Sequence, residues 1–162
     1  MEEVYPKLWI GDDQDYLKMK DREGWAFVRA CKEGPGGHRS MVGYTTRGAP
    51  KGPNYYAAWK DNHIALNLID SDDPSHIHDE SILPALEFIK KFLSEGNNVL
   101  VACNKGHSRG PSITMMFLGM IHDLPSNFRE AFRVFKILYP KYDPAQGIEF
   151  YVKHKYASLT KE

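Results

Sequence analysis

Cys103 and Arg109 stand six positions apart in the stretch "VACNKGHSRG", at the end of the apolar run "NVLVAC". The run reads as a strand, and Pro111 suits a first helical turn, so residues 104–109 must carry the chain from strand to helix. Such a turn points successive backbone N–H groups inward at the positive end of a helix dipole, which makes a cradle for an anion. Gly106 supplies the backbone freedom the turn needs. Arg109 can offer two parallel donors to two oxygens of a tetrahedral oxyanion. In that field the thiolate of Cys103 is favoured over the thiol. A thiolate beneath a bound phosphate is placed for in-line attack on phosphorus.

The rest of the loop serves the same chemistry. Ser108 can hydrogen-bond within it, Asn104 can brace its wall, and Lys105 and His107 add positive charge if they face the ligand. Expelling an alkoxide or phenoxide from phosphorus also needs a proton on the leaving oxygen. The segment "IDSDDPSHIHDE" offers four carboxylic acids for that step: Asp70, Asp72, Asp73 and Asp79. Two readings fit Cys31, which ends a neighbouring strand. It is a buried inert thiol, or a resolving thiol that protects the nucleophile as a disulfide. A zinc site is not expected, because the chain has only two cysteines and its seven histidines show no paired ligand spacing. No cofactor is implied.

The elements that must position these groups alternate. Residues 7–11, 25–31, 63–69 and 97–103 read as strands, from their β-branched and aromatic content and the turn residues at their borders. Residues 13–24 suggest a short helix ending at Gly24. Ile82, Leu86, Ile89 and Leu93 recur at helical spacing, with Pro84 tolerable only in a first turn and Gly96 at the C-terminal cap. Ile113, Met116, Phe117 and Met120 mark the next helix. Phe128, Ala131, Phe132 and Phe135 mark another, capped by Ser126, and Ile148, Val152 and Leu159 mark the last. These stripes are core positions. The pattern is α/β: a central, mostly parallel sheet of four or five strands flanked by helices in three layers, as one domain over residues 1–162.

Residues 33–62 interrupt it with a Gly/Pro-rich insertion that has no clear period. It leaves the C-terminal end of strand 25–31, where parallel sheets place ligands. It is either a solvated surface insertion or a flap whose His38, Arg39, Tyr44, Arg47, Lys51, Tyr55 and Tyr56 meet an anionic, partly aromatic substrate.

Composition narrows the setting. The 162 residues carry 21 Lys+Arg against 21 Asp+Glu, so nothing favours nucleic acid or a membrane as partner. No apolar run reaches the ~18 residues of a membrane helix, and the acidic start "MEEVYPKLWIG" has no signal-peptide pattern. Two cysteines do not make a secreted disulfide framework, so a reducing, cytoplasmic location is expected.

C-x5-R between a strand and a helix resembles the protein tyrosine phosphatase superfamily, and "CNKGHSR" is similar to the loop of its compact dual-specificity branch. "VYPKLWIGD" resembles that family's opening strand and turn, and "LNLIDSDDPS" the segment bearing its general-acid aspartate. The likeness covers nearly all of the chain outside 33–62. It implies a phosphatase-like fold and hydrolysis of phosphomonoesters through a phosphocysteine, with Cys103 as nucleophile and Arg109 as oxyanion clamp. The implied general acid is Asp72, followed by Asp73 and then Asp70. It implies further that Asn104, Lys105, Gly106, His107, Ser108 and Arg109 bind the substrate phosphate, and that Gln146 is a loop-supporting amide. The substrate implied is a phosphorylated protein or a small phosphoester, and phosphate, sulfate or vanadate should occupy the loop.

The sequence departs from the family at two flanks. Ala102 stands where a histidine ordinarily braces the loop and helps ionise the cysteine. Gly110 stands where a hydroxyl ordinarily helps the thiolate leave. Both changes are expected to weaken thiolate stabilisation and slow the second chemical step, unless Ser112 supplies the hydroxyl. The alternative is a phosphate-binding module with little or no turnover. A rhodanese-type sulfur carrier also uses a loop cysteine but leaves the upstream acidic segment unexplained.

Overall fold

The computed structural model describes residues 1–161. Its centre is a sheet of six strands: β1 (Glu2–Tyr5), β2 (Leu8–Gly11), β3 (Trp25–Arg29), β4 (Ala57–Lys60), β5 (His63–Leu66) and β6 (Asn98–Ala102). Their order across the sheet is β1-β2-β6-β3-β5-β4. The neighbours β2–β6, β6–β3 and β3–β5 are parallel, while the two edge strands β1 and β4 pair antiparallel with β2 and β5. The four strands legible in the sequence are thus the four parallel ones. Both added strands are four residues long and come back from tight turns, and such short hairpin arms carry little periodic signal.

Six helices complete the fold: α1 (Asp13–Met19), α2 (His38–Val42), α3 (Asp79–Ser94), α4 (Arg109–Met120), α5 (Phe128–Leu138) and α6 (Gln146–Leu159). The main core lies between one sheet face and the stripes of α3 to α6. It buries Ile82, Leu86 and Ile89 of α3, Ile113, Met116 and Phe117 of α4, Ala131 and Phe135 of α5, and Ile148 and Val152 of α6. On the other face Tyr16 and Met19 of α1 pack on Phe27, Leu100 and Ala102. Alternate residues of β6 therefore serve opposite cores, which fixes its register and the place of whatever follows it.

Three local expectations change. Pro84 falls in the second turn of α3, not the first, so the carbonyl of the exposed Glu80 goes without a helical partner. Asn127, not Ser126, caps α5, its side chain accepting from the Glu130 N–H at 3.1 Å. The insertion is not structureless, since it contains α2 and β4.

Candidate active site

Cys103 follows β6 directly and is 2% exposed. The chain then turns through Gly106, at φ +77°, and enters α4 at Arg109. A Cβ on Gly106 would press on the carbonyl oxygen of Gly11 at 3.1 Å, so both the turn and its close approach to β2 require glycine. The buried Tyr139 hydroxyl donates to Gly106 O at 2.7 Å, and burial pushes its phenol well above the usual range, which keeps it a donor.

Above Cys103 opens a cavity of about 380 Å³, lined by Asp70, Cys103, Asn104, Lys105, His107, Ser108, Arg109 and Asp143. All but the two aspartates belong to the loop itself, as the strand-to-helix turn predicts. The Arg109 guanidinium is held in two places: Nη1 donates to Leu68 O at 3.1 Å and Nη2 to Asn104 Oδ1 at 2.7 Å. Its Nε is buried and, among the described residues, has no acceptor. A buried guanidinium nitrogen without a partner is costly. Arg109 lines the cavity, which makes an oxyanion bound there a natural acceptor for its guanidinium.

The acidic segment divides between the cavity and its surroundings. Asp70 reaches the cavity, where its Oδ1 accepts from Ser108 Oγ at 2.7 Å. Ser108 Oγ in turn accepts from the Ala145 N–H at 2.9 Å, which ties the acid turn, the loop and the start of α6 together. Asp72, the residue favoured by the resemblance, is exposed and does not line the cavity. Asp73 caps a 3-10 turn (Pro74–His76), and the Ser75 N–H on its carboxylate holds it below the usual carboxylate range. Asp79 is engaged by Tyr151 and Lys155 of α6, which lower it likewise. Neither Asp73 nor Asp79 lines the cavity. Asp143, not singled out in the sequence, also lines the cavity, and its N–H donates to His107 O at 2.7 Å. No local motif marks it, because it arrives from the α5–α6 connection.

Three supporting expectations resolve clearly. Ser112 does not face the thiol; its hydroxyl pairs with Tyr142 Oη at 2.7 Å in the core. Gln146 opens α6 but its side chain lines a separate groove with Phe128, Phe132 and Phe150. The support comes from its neighbours' backbone, through Ala145 and through Gly147 N–H to Ser71 O at 3.1 Å. A Cβ on Gly147 would collide with that Ser71 oxygen, so glycine is what admits the acid turn to α6. Residues 33–62 contribute nothing to the cavity lining. His38 is fully buried between Tyr44 Oη and Asn54 O, and Arg39 pairs with Glu33 at 2.8 Å, so these groups hold the insertion together.

Cys31 is fully buried, and burial pushes its thiol up to about 11. Ala102 presents a methyl to the α1 face. A Cβ on Gly110 would stand 3.4 Å from Cys103 Sγ, so this is a position from which a side chain could reach the sulfur.

The fold is that of the compact dual-specificity phosphatases. Human tyrosine phosphatase-like serine/threonine/tyrosine-interacting protein superposes with a TM-score of 0.68 at 18% identity, over 99% of this chain and 98% of that one. Human DUSP28 gives 0.64 at 19% identity, over 96% and 91%. PTPMT1 in complex with PI(5)P gives 0.60 at 14% identity, over 98% and 96%. No family model matches the sequence. Among the described residues, no helix is long and apolar enough to cross a membrane.

Proposed function

We propose that the chain is a cysteine-dependent phosphomonoester hydrolase acting on phosphotyrosine or phosphoserine/threonine in proteins. The observation that carries this reading is the cavity that has Cys103, Arg109 and Asp70 together in its walls, with an Arg109 Nε that is buried and, among the described residues, has no acceptor. In the first step the Cys103 thiolate attacks phosphorus. The S–P bond forms as the P–O bond breaks, while Arg109 and the loop N–H groups hold the non-bridging oxygens. Asp70 protonates the leaving oxygen, a role supported by its place on the cavity wall; Asp72, two residues on, is the alternative from the same turn. In the second step the same carboxylate takes a proton from water, whose oxygen bonds to phosphorus as the S–P bond breaks and the thiolate returns. Lys105 and His107, exposed at the cavity rim, meet the substrate beyond its phosphate. Phosphate, sulfate and vanadate fit the same cradle.

The test is turnover of p-nitrophenyl phosphate by the wild type, Cys103→Ser and Arg109→Lys. Wild-type turnover abolished in Cys103→Ser supports the enzyme. Gly110 favours a second reading, since it leaves the thiolate without a neighbouring hydroxyl: a module that binds phosphorylated ligands and turns them over little. Vanadate binding by a wild type without turnover would establish that reading instead.

A further inference from the structure

Arg29, the last residue of β3, has the largest fully buried side chain of the described residues and lies outside the reacting groups described above. A buried guanidinium is tolerated only when its donors are met. Here Nε donates to Pro35 O at 2.9 Å, Nη1 to Ala102 O at 2.9 Å and Nη2 to Asp13 Oδ1 at 2.5 Å, while the Tyr16 ring lies 4.5 Å beneath. Each acceptor belongs to a different segment behind the cradle: the insertion, the residue before the nucleophile, and the start of α1.

The contact with Asp13 continues to the site. Asn104 Nδ2 donates to both Asp13 oxygens at 3.2 Å, and the Asp13 N–H donates back to Asn104 O at 3.3 Å. An amide has a donor end and an acceptor end. With its nitrogen on the Asp13 carboxylate and on Glu33 O at 3.0 Å, Asn104 must turn its oxygen outward, and that oxygen accepts from Arg109 Nη2. The reversed amide would set NH2 against guanidinium, donor against donor. Fixing Asn104 therefore fixes one of the two anchors of the Arg109 guanidinium, the other being Leu68 O.

We propose that Arg29 is a positioning residue for Arg109, acting through Asp13 and Asn104, and braces the loop from behind Ala102, whose methyl can make no hydrogen bond. The inference rests on the oxyanion-binding reading of the cradle. It goes beyond that reading by assigning part of the anion affinity to Arg29 and Asp13, two side chains outside the cavity lining.

Vanadate affinity by isothermal titration, together with melting temperature, tests it on the wild type, Arg29→Gln, Asp13→Asn, Asn104→Ala and the Asp13→Asn/Asn104→Ala pair. Asp13→Asn and Arg29→Gln should each weaken vanadate about tenfold in folded protein. The double variant should lose less than about twofold beyond the larger single loss, because both changes cut one path. Should Arg29→Gln fail to fold, the partly exposed Asp13 site decides alone. Lower melting temperatures with unchanged vanadate affinity would reduce Arg29 to a structural residue and overturn the proposal, as would losses that simply multiply. A wild type that does not bind vanadate overturns the reading of the cradle, and the brace with it.

Discussion

Asp70→Asn separates the acid's chemistry from its structural role. The asparagine side chain keeps an amide oxygen that can still accept from Ser108 Oγ, so the link of loop to acid turn persists in weaker, uncharged form. Asp70 is exposed, so that weakening costs at most ~1 kcal/mol of stability. The lost proton is a larger matter. A positioned general acid contributes ~10²–10⁴ in rate, equal to about 2.7–5.5 kcal/mol of barrier. The loss must scale with the need for protonation: near the upper end for phenyl phosphate, and smaller for p-nitrophenyl phosphate, whose leaving group departs readily as the anion. Asp72, exposed and outside the cavity lining, should change kcat by no more than about twofold when made Asn. Steady-state kinetics of both variants on both substrates is the assay. A large, leaving-group-dependent loss in Asp72→Asn with Asp70→Asn near wild type would refute the geometric argument. It would show that the turn brings Asp72 over bound substrate, as the family resemblance implies.

Gly110→Ser places a side chain 3.4 Å from Cys103 Sγ, with Val101 O 3.3 Å away yielding a few tenths of an ångström. One charge-assisted hydrogen bond to the departing thiolate, ~1.5 kcal/mol, should raise the rate of phosphocysteine breakdown about tenfold in single-turnover kinetics; an unchanged rate contradicts the role assigned to this flank. Gly147→Ala forces Ser71 off α6 and should destabilise the fold by ~2 kcal/mol, seen as a fall of about 4–8 °C in Tm. Cys31, its thiol pushed up to about 11, stays protonated at a working pH of about 7.5, so iodoacetamide should modify Cys103 in preference, and Cys31→Ala should leave turnover intact. Equal labelling of Cys31 would contradict the burial argument.

The parallel centre of the fold is legible in the sequence because β2, β3, β5 and β6 are apolar, turn-bounded runs, and because the stripes of α3 to α6 repeat with helical spacing. The cradle is legible because Cys103 through Arg109 are contiguous and their spacing is the chemistry. What escapes a linear reading is what tertiary structure assembles. Asp143 reaches the cavity from a distant connection, and Arg29 looks like one polar position in an otherwise apolar strand. Asp70 and Asp72 share one turn, and no pattern in the sequence states which carboxylate faces inward. The insertion reads as structureless because its order comes from single buried contacts such as His38 with Tyr44 and Asn54, which have no period.

The phosphocysteine is the central claim, and it can be trapped. Rapid quenching of the wild type with p-nitrophenyl phosphate, followed by peptide mass spectrometry, should find phosphate on the peptide that contains Cys103. The release of p-nitrophenolate should show a burst, because Gly110 leaves the second step unassisted. Cys103→Ser should abolish burst and turnover alike. Turnover that persists in Cys103→Ser, or phosphate carried by any other residue, would contradict the account.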